Sequence, residues 1–403
     1  MSEVPRLPLE PLPYHKDMVR HLQTHEADLW RWFAADRVRD SENEAARLDL
    51  LKSTYRIDRS ADAPLYAAAD EVAAKFGVQA PVTFYQSHGV AGLNVGLIYM
   101  PGEVHVVLNG QVAAALTPAE LRAVLGHELL HFCLLDRWRE YLVASQLLAA
   151  MANDVAAAPS HIMSIRLFSL YGEVYCDRGG YLATGDLAAT VSALVKIETG
   201  ATEVSAESYL RQTEEIFSKG HPKTQGVTHP ETFIRAKAIG LWVQEPQRAA
   251  TEIGQIIQGP PAISELDFLG QVRTTALTRR LIEAFLRPNW LRTDPMLAHA
   301  RLFFDDFAAK PAADAALAAD LRAGDAKMHD YYCYVLLDFA VADRDLEEAP
   351  LAAALVLGDE LGLGDRFRQL AVKELHLRKK QLEALDADAH RIVARAGESG
   401  DEA

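Results

Sequence analysis

Residues 117–134, TPAELRAVLGHELLHFCL, restrict the fold of this chain more than any other stretch. Thr117 is a good N-cap, Pro118 suits the first helical position and Glu120 falls three residues after the cap. The start therefore carries a capping box and predicts a helix from Pro118. Almost every face of that helix is apolar, so other layers must cover most of its sides. Inside the apolar run sit His127, Glu128 and His131, which need either partners in the core or a task.

The flanking sequence supplies the layers. Residues 14–51 read as helical with one polar face, and Trp30, Trp32 and Phe33 are the expected anchors onto the rest of the molecule. A helix is expected from Pro64 to Phe76, closed by Gly77. PVTFYQS, GLNVGLIYM and EVHVVLN are short β-rich runs separated by turn residues, and they predict a small antiparallel sheet. Beyond the first motif, helix continues through Leu148, breaks near Pro159 and resumes from Ile162 to Tyr181. The stretch from Gly259 to Pro261 reads as a linker, and everything after it reads as helices. The expected class is α+β, mainly helical. Its expected divisions are a helical segment over 1–60 packing on a domain over 61–255, an all-helical domain over 262–392, and a small, acidic, disordered tail over 393–403.

Charge and composition narrow the function. A formal net charge of −15 over 403 residues, with no long basic run, argues against nucleic acid or an anionic membrane surface as partner. Cys133, Cys176 and Cys333 are too few and too scattered for a disulfide framework and suggest a reducing compartment. Prolines and charges interrupt the amino terminus where a secretion signal needs an apolar core. The most lipid-like stretch, Tyr141 to Ala152, ends at Asn153 and Asp154, short of the roughly 20 apolar residues of a membrane span. A cytoplasmic protein without a membrane span is expected.

On a helix, residues four apart share a face, so His127 and His131 can offer two imidazoles to one ion while Glu128 points toward the same cleft. This is the H-E-x-x-H pattern of zinc hydrolases; the competing reading is a buried helix whose histidines hydrogen-bond within the core. A catalytic zinc also needs a third protein ligand and an open position. SLYGEVYCDRGG offers Glu173 as that ligand and, four residues on, Asp177 as a group to hold a ligand histidine. Cys133 and Cys176 lie near these residues and read as small buried apolar side chains rather than ligands.

LTPAELRAVLGHELLH, then GEVYCDRGG, then THPETFIRAKAI together resemble the CAAX-prenyl-endopeptidase and HtpX-like family of zinc metallopeptidases, in the gluzincin group, over roughly residues 50 to 245. The resemblance implies a zincin-like core and one Zn2+ per chain held by His127, His131 and Glu173. It implies Glu128 as general base, Asp177 as the supporting acid, His229 as support for a developing oxyanion and Arg235 as a brace on Asp177. Of two His-Pro pairs, His221-Pro222 and His229-Pro230, the second is preferred because Arg235 follows it at the family spacing. Family members place an asparagine on an edge strand beside the cleft, and Asn94 stands at the matching place; a turn asparagine after Gly92 is the competing reading. The membrane-bound relatives carry spanning helices and this chain has none, so a soluble form acting on peptide or protein substrates is implied.

Residues 331–375 resemble the TerB-like helical module of stress-associated proteins, which implies a protein partner for the second half. Its acidic turn carries Asp343, Asp345, Glu347 and Glu348, but lacks the glycine and final glutamate of a calcium-binding hand. Helix capping by Asp345 explains the turn without a cation. Two functions are thus expected to compete: a zinc-dependent endopeptidase for extended or unfolded polypeptide, and a latent or non-catalytic scaffold whose helical half binds a partner in a stress response.

Overall fold

A computed structural model of the chain describes residues 10–35, 39–88, 92–220, 222–309 and 314–401. The chain divides after Gly259 into two compact units.

In the first unit, four strands form one sheet: β1 (Thr54–Arg56), β2 (Val82–Ser87), β3 (Asn94–Met100) and β4 (Glu103–Asn109), in the order β1-β2-β4-β3. The sheet is mixed, not antiparallel as expected. β3 and β4 form a hairpin with Met100 opposite Glu103, but β4 returns between β3 and β2, running parallel to β2 with Val82 beside Val104. Residue pattern reports which side chains are buried and is blind to strand direction, which the crossover decides. The consequence is that β3 lies at the sheet edge.

The helices of this unit are α1 (Pro13–His25), α2 (Ala27–Ala34), α3 (Arg39–Ser53), α4 (Ala63–Phe76), α5 (Val112–Ala115), α6 (Pro118–Arg137), α7 (Arg139–Asn153), α8 (Pro159–Thr184), α9 (Leu187–Thr199), α10 (Ala206–Ser218), α11 (Thr232–Gln244) and α12 (Pro246–Gln258). Gly77 ends α4 in the left-handed conformation, φ 64°. The capping box of α6 is formed: Thr117 Oγ1 accepts from the Glu120 amide, and Glu120 accepts from the Thr117 amide. Glu120 also receives Ser192 Oγ at 2.6 Å and Lys196 Nζ at 2.9 Å from α9, so one buried carboxylate fixes the start of α6 and ties α9 to it.

Of the expected amino-terminal anchors, Trp32 differs from expectation. Trp32 is 56% exposed and α2 buries no residue, whereas Tyr14, His15, Met18 and Leu22 of α1 are buried. Tyr14 stacks on Tyr171 and the His15 ring packs edge-on against Tyr141 and Phe168. α2 also packs against α7, with Trp30 and Phe33 half-buried, and of the three expected anchors Trp32 is left at the surface.

The second unit is all helical: α13 (Phe268–Phe285), α14 (Asp294–Phe303), α15 (Leu317–Arg322), α16 (Ala326–Ala340), α17 (Ala349–Leu361), α18 (Gly364–Glu374) and α19 (Lys379–Asp401). Its core contains Phe285, Met296, Leu336, Phe339, Leu355 and Phe367. The tail expected to be disordered from 393 instead continues α19 to Asp401, because Leu382, Ala389, Ile392 and Val393 pack on that core and carry the helix onward. In the acidic turn the capping residue is Asp343 rather than Asp345. Its carboxylate accepts from the Asp345 amide at 3.0 Å and from Thr293 Oγ1 at 2.6 Å, and Asp345 only lends its N–H. Among the described residues no helix is long and apolar enough to cross a membrane.

Candidate metal centre

The centre begins with a close crossing of α6 and α8. A Cβ on Gly126 would lie 2.4 Å from the Gly179 carbonyl oxygen, and one on Gly179 would lie 2.2 Å from the Gly126 oxygen. Backbone therefore meets backbone beside His127, which brings that residue against Glu173 and Asp177 of α8. Reading for ligands alone missed these glycines. Their signal was present, since glycine inside a helix is unfavourable by about 1 kcal/mol against alanine and needs a packing reason.

Three donors converge there. His127 Nε2 lies 3.1 Å from His131 Nε2 and 3.5 Å from Glu173 Oε2, and His131 Nε2 lies 3.3 Å from Glu173 Oε1. Among the described residues His127, His131 and Glu173 form the one group of three or more such side chains close enough to hold a metal ion. Bond lengths of about 2.0–2.1 Å imply a donor spacing of roughly 3.3 Å along a tetrahedral edge; the distance between the imidazoles, and that from each imidazole to a different Glu173 oxygen, lie close to it. A further observation fits a cation: Glu173 Oε2 is buried with no hydrogen-bond partner, its nearest permanent positive charge being the Arg235 guanidinium at 3.6 Å, so it has room for a closer one.

Asp177 and Arg235 orient the cluster. His127 Nδ1 lies 3.0 Å from Asp177 Oδ1; a carboxylate can only accept, so Nδ1 carries a proton and Nε2 is the atom turned to the other donors. Arg235 from α11 grips Asp177 with both prongs, Nε to Oδ2 at 2.9 Å and Nη2 to Oδ1 at 2.6 Å. Burial pushes the Asp177 carboxyl up, but the Arg235 guanidinium and the bond to His127 hold it below the usual carboxylate range. Burial alone would likewise push the His127 imidazole down; its bond to Asp177 and the Glu173 carboxylate 3.5 Å from Nε2 outweigh that and bring it up to about 10. The pocket thus attracts positive charge to the place where a cation would sit. Burial raises the Glu128 carboxyl, and the two imidazoles only partly offset the shift.

A cleft of about 710 Å³ opens over these groups. β3 residues Asn94 to Leu97 line one side, α9 residues including Leu194 and Ile197 line the other, and Glu128 faces into it. Asn94, the first residue of β3, is exposed at the cleft. His229 stands at the mouth with its side chain 57% exposed, Nε2 3.4 Å from Glu173 Oε2 and Nδ1 2.9 Å from Thr228 Oγ1. Burial lowers its imidazole, against the pull of Glu173. His221 lies outside the described residues. Cys133 and Cys176 are buried free thiols, both pushed up by burial, and neither belongs to the donor group.

Comparison with known families gives one match: residues 61–243 fit the model described as Peptidase family M48. Neither the comparison with curated proteins nor that with solved structures returns a match. The matched span contains every residue of the centre, from Asn94 through the two histidines and Glu173 to Arg235, on a mainly helical α+β scaffold of zincin-like type. Residues 61–243 are thus similar to family M48, a family of metallopeptidases.

Proposed function

We propose that the chain is a zinc-dependent endopeptidase that hydrolyses extended or unfolded polypeptide. The observation that carries this reading is the convergence of the His127, His131 and Glu173 donors within reach of one ion, under an open cleft flanked by a sheet edge. These three residues would hold the zinc. When bound, such an ion supplies Lewis acidity, lowering the pKa of a water to about 7 and polarising a carbonyl.

The chain's own groups do the rest. Glu128 takes a proton from the attacking water and delivers it to the leaving amine; its raised carboxyl is suited to both steps. Asp177, gripped by Arg235, keeps His127 in the tautomer that presents Nε2. His229 donates to the carbonyl oxygen as negative charge develops. A substrate in extended form adds to the free edge of β3, and Asn94 holds one of its carbonyls. Folded proteins seldom offer such a strand, which is why unfolded segments are the favoured substrate class.

The experiment is metal analysis together with cleavage of an unfolded protein by wild type and Glu128→Gln. About one zinc per chain is expected in both, with cleavage lowered by a factor of about 10²–10⁴ in the variant. Wild type that binds no zinc, or a Gln variant that cuts as fast as wild type, contradicts the proposal.

A further inference from the structure

His229 sits on a loop tip that touches little: Val227, Thr228 and His229 are all exposed. Something below the tip must determine where the ring goes. Helix α8 carries Arg166, Glu173 and Asp177 at intervals of seven and four, which puts all three on one stripe. Each meets the segment 224–235 at a different level. Asp177 holds Arg235, Glu173 lies 3.4 Å from His229 Nε2, and Arg166 grips the base of the loop, donating Nε to the Gly226 carbonyl and Nη2 to the Thr224 carbonyl, both at 2.9 Å.

Glu231 ties the same turn from the other end. Its carboxylate accepts from Thr224 Oγ1 and from the Gln225 amide, both at 2.8 Å, while the Gly226 amide donates to Thr224 Oγ1. The turn is so tight that a Cβ on Gly226 would lie 1.8 Å from the His229 carbonyl oxygen. Thr224 itself is pinned by its amide to the Ile256 carbonyl on α12. Polar groups of residues 224–226 are thus bound by Arg166 and Glu231, and residues 227–230 bridge the short span from Gly226 to Glu231.

We propose that Arg166 and Glu231 form a latch that positions His229 over the cleft, so that both are positioning residues for the hydrolysis. The inference rests on the peptidase reading for its kinetic part but not for its structural part. The full-length protein serves for both. Hydrogen–deuterium exchange compares wild type with Arg166→Ala and Glu231→Ala; the amides of Gln225 and Gly226 should exchange at least about 10-fold faster in each variant, while those of α6 do not change. Glu231→Gln, which keeps an acceptor for the Gln225 amide, should restore most of the protection. If Arg166→Ala fails to fold, Glu231→Ala at the loop carries the same test.

In the kinetic arm, kcat should fall by up to about 10²-fold with KM little changed, as expected when a group is displaced by an ångström. Combining Arg166→Ala with His229→Ala should add nothing to the loss from His229→Ala alone. Unchanged exchange in both alanine variants overturns the latch. Losses that multiply in the double variant overturn its action through His229. A wild-type protein that cleaves nothing refutes the peptidase reading instead, and the exchange arm still decides whether the latch exists.

Discussion

Gly179→Ala tests the geometric basis of the centre. The added methyl would lie 2.2 Å from the Gly126 oxygen, 2.9 Å from the Gly126 carbonyl carbon and 2.8 Å from Leu130 Cβ, where real contacts stop at about 3.0 Å. Two of the three obstacles are backbone and cannot rotate away. The helices must therefore part by about 0.8 Å at this level, directly beside His127. The edge between His127 Nε2 and Glu173 Oε2, 3.5 Å in the native protein, would then exceed 4 Å if the shift is carried along the chain. Overpacking of this kind destabilises by about 1–3 kcal/mol, or roughly 2–12 °C in melting temperature for a unit of this size. Zinc affinity should fall by about 10–100-fold, the range seen when the support of a ligand is disturbed. Chelator competition and calorimetry read the two effects. Gly240→Ala on α11, whose Cβ would meet nothing within 4 Å, is the control and should be neutral or slightly stabilising. Native zinc affinity and melting in Gly179→Ala would refute the reasoning, because α6 and α8 could not then be in backbone contact.

Two further outcomes follow from buried groups elsewhere in the first unit. His15 donates from Nε2 to the Phe168 carbonyl while its Nδ1 is buried without a partner, and burial lowers its imidazole from 6.5 to about 3. The native state keeps this histidine neutral, so its contribution to stability is full above the unfolded pKa and is lost as pH falls from 6.5 toward about 3. The loss is about 1.4 kcal/mol per pH unit, and His15→Leu should remove that slope from urea unfolding measured between about pH 5 and 6.5; an unchanged slope would place the titration elsewhere. Glu120→Gln leaves the buried Lys196 ammonium without its counter-charge and should destabilise by about 3–5 kcal/mol. Adding Lys196→Met should recover much of that in thermal melting, and a double variant as unstable as the single would show that the pair is not coupled.

The parts of the fold that local chemistry dictates were legible in the sequence. T-P-A-E announced the start of α6, Gly77 the end of α4, and the spacing of His127, His131 and Glu173 the donor group that the crossing of α6 and α8 assembles. What stayed hidden depends on contacts distant in sequence. No alternation of side chains tells that β4 runs parallel to β2, so the edge position of β3 was expected from the family resemblance at Asn94 and not from the pattern of the strands. Trp32 looked like an anchor by residue type, yet α1 had already supplied the burial. The tail looked disordered by composition, yet four apolar side chains spaced along α19 carry it as helix. The grip of Arg166 on the loop before His229 joins residues 58 and 60 positions apart through backbone carbonyls, which leave no mark in the sequence.

The central claim is that His127, His131 and Glu173 hold one zinc ion. Anomalous diffraction at the zinc edge from crystals of the zinc-loaded protein tests it directly. The expected result is a single strong peak about 2.0–2.2 Å from His127 Nε2, His131 Nε2 and a Glu173 carboxylate oxygen, and no such peak in Glu173→Ala. A peak that excludes Glu173, or one that persists unchanged in the alanine variant, would contradict it.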